Sequence, residues 1–115
     1  MTGDQVRKVV LALPEVEERE TWGHPTFRVR DKMFAIMGMA GEDNVRVKST
    51  LDEQTALTQM DPETFSVPGY VGKYGWIRIE LERVDPEELA ELVTEAWRLT
   101  APKRLVSAFD EANPV

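Results

Sequence analysis

The chain has 115 residues, and its hydrophobic fraction of 42% and charged fraction of 30% are those of a soluble globular protein. This length is enough for one hydrophobic core and too short for two, so a single domain over residues 1–115 is predicted. The lack of cysteine excludes disulfides, thiolate zinc sites and a cysteine nucleophile, and the single histidine excludes a multi-histidine metal site. We expect no metal and no cofactor.

No apolar run approaches the roughly 20 residues that a transmembrane helix needs. The N-terminus begins directly with a mixed polar and apolar pattern, and no signal peptide is recognisable. We therefore expect a cytoplasmic protein without a membrane partner, and the absence of cysteine fits such a reducing compartment.

The first predicted element is a helix over residues 2–13. Thr2 can cap it, and Gln5 completes a capping box. Its apolar residues recur at helical spacing and are Val6, Val9, Val10 and Leu13. Pro14 ends the helix, and the acidic stretch 15–20 is predicted to be a solvated connection, because runs of charge are usually exposed.

Apolar and basic residues alternate in the next part of the chain, which is the period of two that β-strands show. Three strands are predicted, over residues 26–30, 32–37 and 44–48. A tight turn around Asp31 joins the first two, and a glycine-containing turn at 38–43 joins the last two. Strands with such short connections should form an antiparallel meander.

The same alternation predicts a sheet with one apolar face and one basic face, because successive side chains of a strand point to opposite sides. The residues expected to face the core are Phe27, Val29, Val45 and Val47. The residues expected to face outward are Arg28, Arg30, Arg46 and Lys48.

After these strands, Ser49 or Thr50 should cap a short helix over residues 51–59. Residues 65–74 contain turn-forming glycine and proline and are predicted to be irregular. A strand follows over residues 76–81. Its inward residues should be Ile77, Ile79 and Leu81, and its outward residues should be Trp76, Arg78 and Glu80.

Asp85 and Pro86 mark the start of a long helix that reaches about residue 99. A last short helix is predicted over residues 103–109, and the chain end at 113–115 is expected to fray. This order of elements predicts an α+β fold. We expect a two-layer sandwich whose antiparallel sheet carries helices on one face, in the order α-βββ-α-β(β)-α; the strand order in the sheet stays open.

The net charge of −7 is unevenly distributed. Residues 26–50 hold five basic and three acidic side chains, and residues 66–78 hold two basic and no acidic ones. By contrast, residues 51–65 hold four acids and no base, and residues 79–102 hold seven acids and two bases. The predicted strands are thus mostly basic and the predicted helices mostly acidic, which would give the molecule a dipolar surface.

Four motifs stand out, and they are Trp22-Gly23-His24-Pro25-Thr26-Phe27-Arg28-Val29, Lys32-Met33-Phe34-Ala35, Pro68-Gly69-Tyr70-Val71-Gly72-Lys73 and Gly75-Trp76. With these motifs the sequence resembles the MmcQ/YjbR family over nearly its whole length. The resemblance implies a small α+β domain related to the CyaY-like or secretion-chaperone-like architecture. It also implies DNA binding, a label the family carries from its likeness to a double-wing arrangement, and it supplies no catalytic residues.

A nucleic-acid-binding surface is the function that these patterns favour. The residues predicted to form it are Arg28, Arg30, Lys32, Arg46, Lys48, Lys73, Tyr74, Trp76 and Arg78. Arginine matches the geometry of phosphate, and an exposed sheet with aromatic side chains can hold nucleic acid. The alternative is a solvated face whose arginines pair with Glu80, Asp31 or helix acids, because an outer sheet face must be polar in any case.

Several other residues that could carry chemistry are interpreted as structural. His24 should be hydrogen-bonded to nearby backbone, since no nucleophile or metal partner completes a site. The serines Ser49, Ser66 and Ser107 lack a nucleophile-elbow context. The helix acids Glu87, Glu88, Glu91 and Glu95 should form a solvated face, with iron binding of the CyaY kind as the less favoured alternative.

Several aromatic residues also receive structural interpretations, and all three tryptophans, Trp76 included, are interpreted as structural anchors. Trp97 is expected in the core, and Trp22 is expected to be an anchor near the sheet edge. Tyr70 is expected to plug the sheet edge, while the environment of Tyr74 stays open. The glycines around these tyrosines permit close approach of the backbone to a ligand.

The sequence therefore predicts a small non-enzymatic binding module that contacts DNA phosphates through a basic sheet face and an aromatic loop. The alternative is a protein–protein interaction module or chaperone-like adaptor, because Met33, Ala35 and Met37 could leave an apolar strip on the outer face. DNA and a protein are the two candidate partners. The oligomeric state, monomer or homodimer, stays open.

Overall fold

The computed structural model of the protein describes residues 1–114. Within this range the α-helices are α1 (Gly3–Leu11), α2 (Leu51–Met60), α3 (Pro86–Thr100) and α4 (Lys103–Ala112). The strands are β1 (Val16–Thr21), β2 (His24–Val29), β3 (Lys32–Met37), β4 (Asn44–Val47), β5 (Phe65–Ser66) and β6 (Ile77–Glu80), and a short 3₁₀ helix spans Gly72–Tyr74. The expected fraying of the chain end involves Val115, which lies outside the described residues.

The strands form one antiparallel sheet in the order β1-β2-β3-β4-β6-β5. Helices α1 and α3 pack together on one face of this sheet. Helix α4 packs on α3, where the ring centroids of Phe109 and Trp97 lie 5.0 Å apart. The predicted α+β sandwich is confirmed, and the last predicted helix is present as α4.

Strand β1 corrects the prediction that residues 15–20 are a solvated connection. It pairs with β2 along its whole length, from Val16 opposite Val29 to Thr21 opposite His24. Its acidic side chains are compatible with a strand because β1 is the edge of the sheet, where charges stay in water. Arginines also neutralise them, as in the α1–β1 ion pair between Arg7 and Glu18.

Two tight turns connect the first three strands. The β1–β2 turn is Trp22–Gly23, with φ angles of +50° and +82°, and the β2–β3 turn is Arg30–Asp31, with φ angles of +51° and +65°. Positive φ at both central residues is the type I′ pattern, whose twist matches that of the paired strands. The tight turn predicted around Asp31 is confirmed.

A β-bulge in the middle of the sheet changes which side chains reach the core. The pairing of β2 with β3 slips by one residue, which makes Phe34 an extra residue on β3. Phe34 and Ala35 are therefore both buried in the core, together with Met37. The predicted apolar strip on the outer face is wrong, since Met33 alone of its three members stays partly exposed.

The hydrophobic core lies between the helices and the sheet face that they cover. Trp97 is fully buried there, as predicted, and its indole N–H donates to the carbonyl of Pro14 at 3.1 Å. The strand residues predicted to face inward are also buried, and they are Phe27, Val29, Val45, Val47, Ile77, Ile79 and Leu81. Their burial fixes the opposite face of the sheet as the outer one.

The helix starts follow the local signals of the sequence. The capping box of Thr2 and Gln5 is present at α1, and the hydroxyl of Thr50 accepts the backbone N–H of Glu53 at the start of α2. Helix α3 begins at Pro86. Its acids are exposed or half-exposed, as predicted, and they are Glu87, Glu88, Glu91 and Glu95.

Candidate functional site

The face of the sheet opposite α1 and α3 carries the outward side chains of the strands, and the strand register aligns them in rows. One row runs from Thr26 of β2 through Ile36 of β3 and Arg46 of β4 to Arg78 of β6. We define the basic face as the set of Arg28, Arg46, Lys48 and Arg78, which lie on β2, on β4, directly after β4 and on β6.

Arg46 and Arg78 lie directly opposite each other on the neighbouring strands β4 and β6. The Cβ atoms of such a cross-strand pair are about 5 Å apart, and like charges placed there destabilise a sheet. Arg78 is partly neutralised by Glu80, whose carboxylate lies 3.2 Å from the arginine Nε. No carboxylate of residues 1–114 forms an ion pair with Arg46. This part of the sheet therefore has excess positive charge that favours an anion.

The two arginines line a cleft of about 330 Å³, which we call the arginine cleft. The other residues that line it are His24, Met39, Glu42, Asn44, Pro68 and Gly69. They come from the start of β2, from β4 and the loop before it, and from the turn after β5. The volume is at the small end of the range of ligand-binding clefts, about 300–1,000 Å³.

Hydrogen bonds hold the polar walls of the arginine cleft. Nδ1 of His24 lies 2.9 Å from the backbone carbonyl of Met37 and donates to it, because a carbonyl can only accept. The predicted bond between His24 and nearby backbone is thereby confirmed. The carboxylate of Glu42 accepts the backbone N–H of Met39 at 3.1 Å, and Asn44 is buried.

Arg28 lies on the basic face two strands away from Arg46, and its guanidinium is hydrogen-bonded to nearby residues. Its guanidinium donates to Oγ1 of Thr21 at 3.3 Å and to the carbonyl of Asp31 at 3.4 Å. Its Nε is buried and has no hydrogen-bond partner among residues 1–114. Arg28 also forms no ion pair within that range, so its positive charge can act on an anion.

Arg30 does not take the outward strand position predicted for it. It lies in the β2–β3 turn, where the alternation of a strand no longer applies. Its Nε and Nη2 donate to the two carboxylate oxygens of Glu15 at 2.5 and 3.0 Å. Hydrogen bonding from Arg30 lowers the pKa of Glu15, and the same bonds raise the pKa of Arg30. The charge of Arg30 is therefore already compensated.

The two candidate lysines of the strands differ in position. Lys32 is exposed at the first position of β3, at the end of the sheet opposite the arginine cleft. Lys48 directly follows β4 and is half-buried, and its backbone N–H donates to the carbonyl of Phe34 at 2.9 Å. Lys48 thus extends the positive charge of Arg46, whereas Lys32 stands apart from it.

The segment between β5 and β6 presents a cation and two aromatic rings. Nζ of Lys73 lies 5.3 Å from the ring centroid of Tyr70 and 5.1 Å from that of Tyr74, within the range of cation–π contacts. Tyr70 is 81% exposed, so the prediction that it plugs the sheet edge is wrong. Strand β5 pairs with β6 there and is itself the last strand of the sheet. Tyr74 is also exposed.

Trp76 is buried, which corrects the prediction that it faces outward as a stacking surface. It is only 7% exposed, although it directly precedes β6 at a position that alternates with the inward-facing Ile77. Its segment is fastened to α2 by the buried amide of Gln54. That amide donates to the carbonyls of Gly72 at 2.8 Å and of Trp76 at 2.7 Å.

Trp22 is 91% exposed at the tip of the β1–β2 turn, so the prediction of a structural anchor is wrong. A Cβ atom at the next residue, Gly23, would lie 3.2 Å from Cε of Met39, which places this turn beside the wall of the arginine cleft. The sequence alone did not indicate Trp22 or Met39 as neighbours of the arginine cleft. Neither the exposure of the indole nor its neighbour in the fold follows from the local sequence.

Residues 1–114 contain no group of three or more His, Asp or Glu side chains placed to hold a metal ion. In the same range, no helix is both long enough and apolar enough to cross a membrane.

A family model described as YjbR matches residues 11–99, which include every strand and the whole arginine cleft. The chain belongs to the YjbR family. The resemblance inferred from the four sequence motifs is thereby confirmed.

Curated proteins similar to this YjbR family member are uncharacterized proteins of Mycobacterium bovis and of two Mycobacterium tuberculosis strains. Each is 42% identical over 45 residues, which is 39% of this chain and 34% of the relative. The chain therefore spans about a third of the length of the curated relatives that it matches. Their names state no activity, ligand or partner.

Among solved structures, the chain is similar to the Deinococcus radiodurans protein DR2400, a DUF419 domain, with a TM-score of 0.78. The sequence identity is 23%, and the match covers 85% of this chain and 77% of that one. This likeness confirms the α+β fold of the YjbR family member and extends to the fold alone.

Proposed function

We propose that this YjbR family protein is a non-enzymatic binding module that contacts the phosphates of nucleic acid through its basic face. The observation that carries the proposal is the placement of Arg46 directly opposite Arg78 in the arginine cleft. Guanidinium groups bind phosphate through paired N–H donors in a fixed fork. A phosphate bound between the two guanidinium groups reduces the repulsion between their positive charges.

The spacing of the other cations favours a polyanion over a single small anion. Arg28 lies two strands from Arg46 on the basic face, and Lys48 directly follows β4. A row of cations along one face suits the repeating phosphates of a nucleic acid strand. The net charge of −7 does not oppose this, because the exposed acids of α3 lie in the other layer.

Binding without catalysis is part of the proposal. His24 is the single histidine, and its Nδ1 is already used by the carbonyl of Met37. No serine of residues 1–114 forms a hydrogen bond with His24. A general base paired with a nucleophile, which hydrolytic and transfer reactions need, therefore has no support in this site.

The test is fluorescence anisotropy of a labelled duplex of about 20 base pairs, titrated at about 50 and 200 mM salt. Affinity should fall steeply between the two salt concentrations, because bound phosphates release counterions. The triple variant Arg28→Ala, Arg46→Ala and Arg78→Ala should bind at least about tenfold more weakly and make the logarithmic salt slope shallower by about three.

The matched control removes the same charge from the helices. Lys8 of α1 and Lys103 and Arg104 of α4 are exposed, so their triple replacement by alanine changes the net charge equally but leaves the basic face intact. Equal loss of binding in both triple variants would show a mere effect of net charge. Unchanged binding in the arginine variant would exclude the basic face.

A protein-interaction module is the second candidate, and exposed apolar side chains favour it. Trp22, Met39, Val67 and Tyr70 are all exposed by 42% or more. Such groups often mark surfaces that bind another protein. The same titration distinguishes the nucleic-acid-binding module from the protein-interaction module. If the protein binds no nucleic acid even at low salt, a protein partner is the better explanation of these exposed apolar side chains.

A further inference from the structure

We infer that the arginine cleft takes a phosphate that carries an unpaired base, so that the preferred partner of this face is a single strand. This inference rests on the proposed function, because the same two arginines hold the phosphate. It adds a role for Trp22 and Tyr70 as stacking platforms on the two sides of the cleft.

The shape of the cleft is the first argument. Arg46 and Arg78 belong to central strands of the sheet, whereas Met39 and the Pro68–Gly69 turn belong to loops that line the cleft beside them. A phosphate bound to both guanidinium groups therefore has loop residues around it. A flexible single strand can follow such a concave surface, while a stiff duplex presents its phosphates on a convex rod.

Two large exposed aromatic residues that are close in sequence to residues lining the cleft are the second argument. Trp22 is 91% exposed and is two residues from His24, which lines the cleft. Tyr70 is 81% exposed and directly follows Gly69, which lines it from another side. Unpaired bases stack on such rings, but the bases of a duplex are stacked on each other and stay out of reach.

The backbone at Trp22 is the third argument. Its φ of +50° is unfavourable for a bulky residue, and Asn or Gly would suit this turn position better. At 91% exposure the indole also contributes almost nothing to the packing of the fold. The indole of Trp22 therefore stabilises neither its turn nor the core. Contact with a bound ligand explains why a tryptophan occupies this position.

The test compares a labelled single strand of about 12 nucleotides with the duplex of the same sequence, at equal salt. We expect the single strand to bind at least about tenfold more tightly. The double variant Trp22→Asn, Tyr70→Ala should lose about tenfold or more of the single-strand affinity and leave duplex binding unchanged. Because both side chains are exposed, the variant should fold normally, which circular dichroism checks.

A control variant removes exposed apolar side chains elsewhere. Met60 of α2 is 70% exposed and Leu99 of α3 is 47% exposed, so Met60→Ala, Leu99→Ala should bind both probes like the unmodified protein. Equal loss of single-strand binding in both double variants would overturn the inference, because the effect would not be local to the cleft.

The remaining outcomes separate this inference from the function on which it rests. Equal binding of duplex and single strand, with both abolished by Arg46→Ala, Arg78→Ala and neither changed by the aromatic variant, would overturn the inference alone. No binding of either probe at low salt would overturn both. Displacement of the single strand by adenosine monophosphate at equimolar concentration would also overturn it, since the cleft would then hold a free nucleotide.

Discussion

Trp22 and Arg46 both occupy positions at which they lower the stability of the fold. Trp22 has a φ of +50° in a turn that favours asparagine or glycine, and Arg46 lies opposite a second arginine without a carboxylate partner in residues 1–114. Residues that cost stability without an evident gain in packing are often those that contact ligands. Arg46 lines the arginine cleft, and the turn that contains Trp22 lies beside Met39, which also lines it.

The replacement Trp22→Asn should stabilise the protein. Asparagine adopts positive φ more readily than tryptophan, and the exposed indole loses little burial, so we expect a gain of about 1 kcal/mol in the free energy of unfolding. Urea titration followed by circular dichroism measures it. Trp22→Ala is the control, because it removes the ring but keeps the unfavourable φ; an asparagine variant no more stable than the alanine one would contradict the argument.

The pair of Glu15 and Arg30 predicts a dependence of stability on pH. The hydrogen bonds from Arg30 hold the pKa of Glu15 below its usual value of 4.5, so the pair stabilises the fold above that value and loses its effect as the pH falls through the lowered pKa. Because both side chains are largely exposed, the effect should be small and weakened by salt.

Thermal unfolding of Glu15→Gln across a pH series measures the contribution of this pair. The variant should melt below the unmodified protein at about pH 7, and the difference should vanish once the pH is below the lowered pKa of Glu15. Glu111 of α4 is exposed and forms no ion pair within residues 1–114, so Glu111→Gln is a suitable control. A difference for Glu15→Gln that persists unchanged in acid would exclude the ion pair as its cause.

At the scale of elements, the site depends on segments that are positioned by their neighbours. The stretch from Gly72 to Trp76 has little regular structure, yet it is fixed in place by Gln54 of α2. Gly75 has a φ of +94°, and a Cβ atom there would lie 2.9 Å from the carbonyl oxygen of Ser49. Lys73 and the exposed Tyr74 are thus presented by a segment that is tightly held against α2.

Replacing Gln54 with leucine should loosen this segment. The carbonyls of Gly72 and Trp76 would lose their buried donor, at a cost of about 2 kcal/mol in the free energy of unfolding. Hydrogen exchange at the amides of Tyr74 and Gly75 should accelerate as well. The exposed Gln59 of the same helix gives the control Gln59→Leu, and a Gln54→Leu protein as stable as that control would argue against the role of the amide.

At the scale of the whole molecule, much of the acidic charge lies away from the arginine cleft, on α3 in the helical layer and on β1 at the edge of the sheet. The basic face occupies the sheet, and the exposed acids of α3 occupy the helical layer. A molecule with a net charge of −7 can therefore attract a polyanion to one side only. This is why the two triple alanine variants are informative together: they change the net charge equally but act on opposite layers.

The sequence by itself determined the fold class, the helix starts and the inward residues of the strands. Periodicity and capping are local properties, so Val45, Ile77 and Thr2 could be assigned from their neighbours along the chain. The same alternation indicated the outward positions of Arg46 and Arg78. It failed for Arg30, because a turn with positive φ replaces the strand there, and at Phe34, because a bulge shifts the register.

Only the tertiary structure decided which elements pair and pack against each other. The sequence gives no sign that Arg46 faces Arg78, because that pairing depends on β4 and β6 being neighbours although α2 and β5 separate them along the chain. The acidic strand β1 likewise forms because it completes pairing with β2, which outweighs its unfavourable composition. The exposure of Trp22 and the burial of Trp76 are further examples. Whether each side chain is covered depends on segments that are distant in sequence, which the local pattern does not encode.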